Sequence, residues 1–389
     1  MKIINVVGAR PNFMKMAPII EDMNKYSDQI EHLLVHTGQH YDERMSKSFF
    51  DDLGMPKPDI NLEVGSGSHA EQTARIMVEF EKVCIRENPD LVIVVGDVNS
   101  TMACTITAKK LKIKVANVEA GLRSRDMSMP EEINRLCTDV LCDYLFTTDY
   151  IANENLRHEG ISKDKILFVG NVMIDTLVKH REMASRLTLR DDLGLMPGGY
   201  ATLTLHRPSN VDDPQVLTGI MEAIEEIANE IPIVFPIHPR TRKMLEALPD
   251  NPKLKTQNSK LNLMEPLGYL EFFHLNMNAK MVLTDSGGLQ EETTVLGVPC
   301  ITMRNNTEHP ITCEMGTNVV VGNRKEDILT AARRMLCGPT WLGRVPEKWD
   351  GRAAERIVEC LIGIEGDSQV QVCETKETKK LEVVRSCTT

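Results

Sequence analysis

The sequence predicts an α/β chain with two doubly wound parallel sheets in tandem. Three observations lead there. Short β-branched runs alternate with amphipathic stretches along most of the 389 residues. The runs are apolar throughout rather than at every second position, so each strand must be covered on both faces, as in parallel sheets flanked by helices. A Gly- and Pro-dense break, "LGLMPGGYA" at 193–201, divides the pattern into two series. The length suits two domains of ordinary size. With 42% hydrophobic but only 4% aromatic residues, their cores are aliphatic and Met-rich.

In the first series the strand candidates are "KIINVV" (2–7), "HLLVHT" (32–37), "LVIVVGD" (91–97), "KVANVEA" (114–120), "YLFTTD" (144–149) and "KILFVG" (165–170). Helical patterns at 69–88, 99–111, 131–142 and 150–160 lie between them. The second series comprises "YATLTLH" (200–206), "IPIVFPIH" (231–238), "LNLMEP" (261–266), "MVLTDS" (281–286), "PCITMR" (299–304) and "TNVVVG" (317–322). The last 25 residues are polar and aperiodic, which reads as a mobile tail over 365–389.

A net charge of −11, from 45 basic and 56 acidic residues, argues against non-specific nucleic acid or anionic membrane binding. A phosphate site on this chain must be a local cationic focus. The ten cysteines form no CxxC and no zinc-like spacing with histidine; most fall in apolar patterns and read as buried thiols in a reducing cytoplasm. The N-terminus lacks the pattern of a signal peptide. No run of about 18 apolar residues is present, which argues against a membrane-spanning helix.

Chemistry-bearing residues gather where strands end, the edge at which open parallel sheets bind ligands. Arg10 and Lys15 follow the first strand, Asp97 ends "LVIVVGD", and Glu119 ends "KVANVEA", before Gly121 and Arg123. Glu131 and Glu132 open a helix after Pro130. In the second half His206 and Arg207, then His238, end strands, and Asp285, Ser286, Gly287 and Gly288 follow "MVLT". Plainer readings exist: Asp97 as a helix cap, Glu131 and Glu132 as first-turn acids favoured by the helix dipole, His206 as a structural histidine, Arg123 and Arg125 as a solvated face. "DSGG" opening a helix reads as an anion site. "GSGSHA" (65–70) matches a dinucleotide fingerprint, but the polar "KPDINLEV" before it is unlike a buried first strand, and it reads as a loop.

Taken together, these residues resemble the non-hydrolysing UDP-N-acetylglucosamine 2-epimerases. The similarity runs in order through "GARPNFMKMAPII", "HTGQHYDERM", "GDVNSTMA", "VEAGLRS", "MPEEINR", "LTLHRPSN", "TDSGGLQEE" and "DGRAAERIVECL", over roughly residues 1 to 362. It implies a GT-B-type architecture with two Rossmann-like domains around a cleft. The first spans 1–171, joined by a returning C-terminal helix at about 351–362; the second, UDP-binding, spans 172–350. It also implies a cytoplasmic homodimer that interconverts UDP-GlcNAc and UDP-ManNAc and so supplies ManNAc-type sugars for surface polysaccharide or glycan synthesis. Carried over by position, Asp97, Glu119 and Glu131 match carboxylates about the sugar ring. Arg10, Lys15 and His206 match residues around the diphosphate and sugar. Leu267 and Phe272 match uracil contacts, Ser286, Gly287 and Gly288 the diphosphate turn, and Glu292 the ribose-binding glutamate. Two positions depart from the family pattern. His309 stands in "NTEHP" where many members have arginine, and Ser209 replaces a glutamate of the bacterial His-Arg-x-Glu-Asn motif.

The chemistry can be argued independently. The hydrogen on C2 of GlcNAc is not next to a carbonyl, so inversion needs either oxidation of a neighbouring hydroxyl by NAD or expulsion of the anomeric substituent. Cations at a diphosphate site, without a credible NAD fingerprint, favour loss of UDP through 2-acetamidoglucal and its re-addition. Asp97, Glu119 and Glu131 supply the proton carriers, with acid and base unassigned. The scheme needs no cofactor, and the sequence shows no metal-ligand cluster. The alternatives are a GT-B glycosyltransferase using a UDP-sugar and a non-catalytic sugar-nucleotide sensor.

Overall fold

A computed structural model of the chain describes residues 1–38, 57–248, 260–337 and 343–366. In the first half, strands β1 (Lys2–Val7), β2 (Glu31–His36), β3 (Ile60–Asn61), β4 (Leu91–Val95), β5 (Lys114–Ala120), β6 (Tyr144–Thr147) and β7 (Ile166–Phe168) form one parallel sheet in the order β3-β2-β1-β4-β5-β6-β7. The accompanying helices are α1 (Arg10–Met23), α2 (His69–Glu87), α3 (Asn99–Lys110), α4 (Pro130–Leu141), α5 (Tyr150–His158) and α6 (Val172–Ser185). The short α7 (Leu189–Asp192) leads into a second parallel sheet.

That sheet comprises β8 (Ala201–Leu203), β9 (Ile233–Pro236), β10 (Leu261–Met264), β11 (Met281–Thr284), β12 (Cys300–Thr302) and β13 (Asn318–Val320), in the order β10-β9-β8-β11-β12-β13. Its helices are α8 (Pro208–Val211), α9 (Pro214–Glu230), α10 (Pro239–Glu246), α11 (Tyr269–Met277), α12 (Gly287–Leu296), α13 (Ile311–Glu314) and α14 (Lys325–Cys337); α15 (Ala353–Gly366) closes the described chain. Two parallel α/β layers are the fold class read from the sequence.

Every strand candidate pairs in a sheet, but most end two or three residues early. Polar residues such as Asp97 and His206 leave the ladder to build loops. The sequence pattern misses β3, a two-residue edge strand inside "KPDINLEV". Residues 39–45 of "HTGQHYDERM" and 367–389 of the tail lie outside the described residues. The "GSGS" segment is a loop whose Ser68 caps α2 by accepting from the Glu71 amide.

In each sheet the winding reverses once, between β1 and β4 and between β8 and β11. The connecting loops splay apart at those points, so ligand crevices form there. The first core packs α1 and α15 on one face of the sheet, burying Ile3, Met16, Ile19, Met23, Ile357, Val358 and Leu361 together. Asp175 of α6 accepts from the amides of Ala353 and Ala354 at 3.1 and 2.6 Å, capping α15 from another helix. Within the first half Thr176 Oγ1 of α6 donates to Met14 O (2.6 Å), and contacts to the later chain run from Trp349 Nε1 to Thr148 O (3.0 Å) and from Asn306 Nδ2 to Asp126 Oδ2 (3.0 Å).

Two expectations need correction. Arg123 is buried, not solvated, because the chain leaving β5 turns it onto Asp139 (2.8 Å) and Glu159 (2.6 Å); Arg125 is exposed. Of the eight cysteines among the described residues only four are buried. Cys313 and Cys337, in a short turn and at the end of α14, are exposed.

Burial pushes the Asp175 carboxyl up to about 6, against the pull of the two amides it caps. The folded state therefore binds this proton more tightly than the unfolded chain. The resulting stabilisation is full below pH 4 and fades as pH rises through 6. Urea titrations between pH 4 and 7 should show the wild type losing up to about 3 kcal/mol more than Asp175→Asn. Parallel pH dependences would contradict this.

Candidate active site

At the first switch point, Asn12 ties the loops together. Its Oδ1 accepts from the Ala9 amide at 2.9 Å, and its Nδ2 donates to Val95 O at 2.9 Å, joining the start of α1 to the end of β4. Pro11 in the first turn suits a helix start, where no amide partner is needed. Arg10 is the first residue of α1. One turn on, Lys15 Nζ pairs with Glu119 Oε2.

Glu119 sits at a register shift in β5 with φ +68°, a left-handed conformation that costs a non-glycine residue roughly 1–3 kcal/mol. Gly96 (φ +70°) lies against the pair, and a Cβ there would come within 3.0 Å of Asn12 Nδ2 and 3.6 Å of Lys15 Nζ. Burial opposes the Lys15 charge, but Glu119, Asp97 and Glu291 together hold its ammonium above the ordinary lysine value. Burial pushes the Glu119 carboxyl up, against Lys15 and with Asp97 and Glu308.

Asp97 does not cap α3; the cap position is Val98 and carries no side-chain bond. Instead Arg135 of α4 donates to Asp97 Oδ2, and Asn134 Nδ2 holds Asp97 O at 2.8 Å. Of the two acids opening α4, Glu132 is buried and bound by Arg135, Ser124 and Arg125. Glu131 is half-buried, and its side chain makes no hydrogen bond or ion pair among the described residues.

At the second switch point, the fully buried Asp285 organises the loop after β8. Its Oδ2 accepts from the amides of His206 (2.9 Å) and Arg207 (2.8 Å), and its Oδ1 lies 2.8 Å from His206 Nδ1. His206 keeps 41% of its side chain exposed. Although burial works against its charge, His206 and the two amides hold Asp285 below the usual carboxylate range. Next to it α12 begins at Gly287 without a side-chain cap, so its first amides are available to an anion. A Cβ at Gly287 would sit 2.6 Å from Glu308 Oε1 and force that carboxylate to shift, whereas one at Gly288 would meet open space.

Arg304 binds Glu308 at 2.6 and 3.2 Å, and Arg207 approaches it at 3.6 Å. His309, Arg304 and Arg207 hold the Glu308 carboxyl far below its ordinary value despite burial. His309, 3.1 Å from Glu291 Oε1, is pushed down to about 4 by burial, against Glu308. Glu291 also accepts from Asn171 Nδ2 at 2.7 Å, and burial, followed by Glu119, raises its carboxyl well above the usual range. One helical position on, burial pushes Glu292 up to about 7, with Tyr269 pulling it back. Leu267 and Phe272 are partly buried beside Leu275 and Leu289.

The two switch points form one electrostatic unit, since Lys15 feels Glu291, while Glu119 and Arg135 feel Glu308. Lys15, Asp97 and Glu119 thus share one wall, and Glu131 lies in the same first turn of α4 as Glu132. His206, the Ser286 turn and His309 lie together at the second switch point, Glu292 follows on α12, and Leu267 and Phe272 pack beside Leu289 of that helix. Sequence reasoning missed Arg135, Glu291, Arg304 and Glu308, and gave no role to Asp285 or Arg207. The i, i+3 spacing of Glu132 and Arg135 and the i, i+4 spacing of Arg304 and Glu308 are readable signals; Glu291 pairs with the distant Asn171.

A family model described as UDP-N-acetylglucosamine 2-epimerase matches residues 22–362. The UDP-N-acetylglucosamine 2-epimerase of Methanocaldococcus jannaschii is 44% identical over 378 residues, covering 93% of this chain and 99% of that one. A UDP-2,3-diacetamido-2,3-dideoxy-D-glucuronate 2-epimerase of Pseudomonas aeruginosa is 42% identical, with the same coverage. Among solved structures, the M. jannaschii enzyme in complex with UDP-GlcNAc and UDP superposes with a TM-score of 0.85 at 45% identity, covering 93% of this chain and 99% of that one. The Neisseria meningitidis enzyme bound to UDP-GlcNAc gives 0.84 at 30% identity, covering 93% and 100%. This chain belongs to the UDP-N-acetylglucosamine 2-epimerase family.

Proposed function

We propose that the protein interconverts UDP-GlcNAc and UDP-ManNAc by eliminating UDP to 2-acetamidoglucal and adding it back after reprotonation of C2 on the other face. The observations that carry this reading are two unlike clusters at the two switch points. One presents Asp97 and Glu119 around the Lys15 cation; the other presents His206 on Asp285 beside the uncapped start of α12. The first wall suits proton transfer at the sugar, the second a diphosphate that gains charge as the anomeric bond breaks.

In this reading Arg10, Lys15, His206, Ser286, Gly287, Gly288 and His309 surround the diphosphate. Glu292 takes the ribose, Leu267 and Phe272 take the uracil, and Asp97, Glu119 and Glu131 serve C2. His309, neutral at pH 7, offers a hydrogen bond where an arginine would offer charge. The P. aeruginosa relative's name supports a second substrate, a diacetamido-glucuronate, for the same chemistry at C2. Supplying each nucleotide sugar in turn and following products by NMR decides between them.

We place the enzyme in the cytoplasm as a homodimer. No helix among the described residues is long and apolar enough to cross a membrane. A second copy is supported by exposed apolar side chains on the two helices that flank the buried α3: Val78 and Ile85 on α2, and Ile133, Val140 and Leu141 on α4.

Turnover in heavy water should place deuterium at C2 of the product; product without label would end the elimination scheme. Asp97→Ala and Glu131→Ala should each lower kcat on the order of 100-fold while UDP affinity holds. Activity surviving both would sink the carboxylate assignment. Light scattering on the double variant Ile85→Glu with Val140→Glu should report a monomer where the wild type is a dimer. A wild-type monomer, or an unchanged dimer of the variant, would refute this interface.

A further inference from the structure

Nothing in the local backbone fixes the Asp97 carboxylate. It follows Gly96 (φ +70°), caps no helix, and its side chain is 33% exposed. What holds it comes from α4. Asn134 takes the Asp97 carbonyl and the adjacent Arg135 takes Oδ2. Among the described residues Oδ1 has no hydrogen-bond partner.

Arg135 is itself immobilised. Its side chain is 5% exposed, with Nε and NH2 donating to Glu132 Oε2 at 2.9 and 2.7 Å and NH2 also reaching Ser124 Oγ at 3.3 Å. Glu132 is pinned in turn by the Ser124 amide (3.0 Å) and hydroxyl (3.1 Å) and the Arg125 amide (2.9 Å). A continuous chain of contacts therefore runs from the loop after β5, through Glu132 and Arg135, to Asp97. It joins the ends of the two strands that carry Asp97 and Glu119.

A buried guanidinium needs carboxylates to offset its lost hydration, and Asp97, Glu308 and Glu132 all favour the Arg135 charge. Of its two hydrogen-bonded carboxylates Glu132 is buried, whereas the arm on Asp97 engages a partly exposed carboxylate at the cleft. We infer that Arg135 is a positioning residue for the reaction, holding Asp97 by Oδ2 so that Oδ1 is presented to the sugar. This rests on Asp97 being a proton carrier. Lysine cannot replace it fully, because one ammonium lacks the planar fork that serves Glu132 and Asp97 at once.

The test is a double-mutant cycle on the full-length enzyme with UDP-GlcNAc, using Arg135→Met, Arg135→Lys and Asp97→Asn, with UDP affinity by calorimetry and thermal midpoints alongside. Misplacing a reacting group by about 1 Å costs on the order of 100-fold, so Arg135→Met should lose about that in kcat while KM and UDP affinity stay within about threefold. Arg135→Lys should recover about tenfold of the loss. The double variant with Asp97→Asn should be no slower than Asp97→Asn alone, because Arg135 acts through Asp97.

Multiplying losses in the double variant, or losses that follow UDP affinity, would overturn the inference. If Arg135→Met does not fold, the cycle with Arg135→Lys reads the same coupling. Full activity of Asp97→Asn would instead remove the carboxylate assignment on which the inference rests. An inactive Asp97→Asn with an independent Arg135 effect would remove the positioning role alone.

Discussion

The buried pair of Lys15 and Glu119 sets the terms for the first wall of the cleft. Taking two ions out of water costs several kcal/mol each, which only close pairing and further partners offset. Here Lys15 comes from the first turns of α1 and Glu119 from a bulge in β5, so α1, β5 and the tip of β4 must meet. Asn12 clamps α1 to β4, Gly96 leaves the space a side chain would fill, and Glu119 adopts a backbone conformation most residues avoid. Strain of this kind persists where surrounding structure over-determines it, and such places are often working sites.

The second wall solves a different problem with different means. Among the described residues no lysine is buried there. A carboxylate, Asp285, gathers two backbone amides and a histidine, and a helix begins with glycines and no cap. Anion binding by amides and a helix terminus is short-ranged and directional, unlike a mobile cation. In the proposed reaction, the wall at the diphosphate stabilises developing charge without moving, while the wall at the sugar exchanges protons.

The architecture was legible in the sequence, and so was the strand edge at which the proposed site residues gather, because both follow from local pattern. Continuous apolar runs give parallel strands, and polar residues that end them lie at the carboxyl edge. Asp97, Glu119, His206 and Ser286 were placed at that edge in this way. Partnerships were not legible. Arg135 reaches Asp97 across 38 residues, and Asn171 reaches Glu291 across 120. Arg123 looked solvated because its partners, Asp139 in α4 and Glu159 at the end of α5, lie in later elements. The two residues of β3 carry too little periodicity to register, and they pair only because β2 offers an open edge.

Breaking the anomeric C–O bond is the step on which the whole account turns. It is read most directly with UDP-GlcNAc carrying oxygen-18 in the bridge between C1 and the β-phosphorus. Cleavage frees that oxygen to rotate among equivalent positions before UDP returns. The account predicts label moving into non-bridging β-phosphate positions of recovered UDP-GlcNAc during turnover. Label that stays in the bridge while UDP-ManNAc accumulates would contradict it.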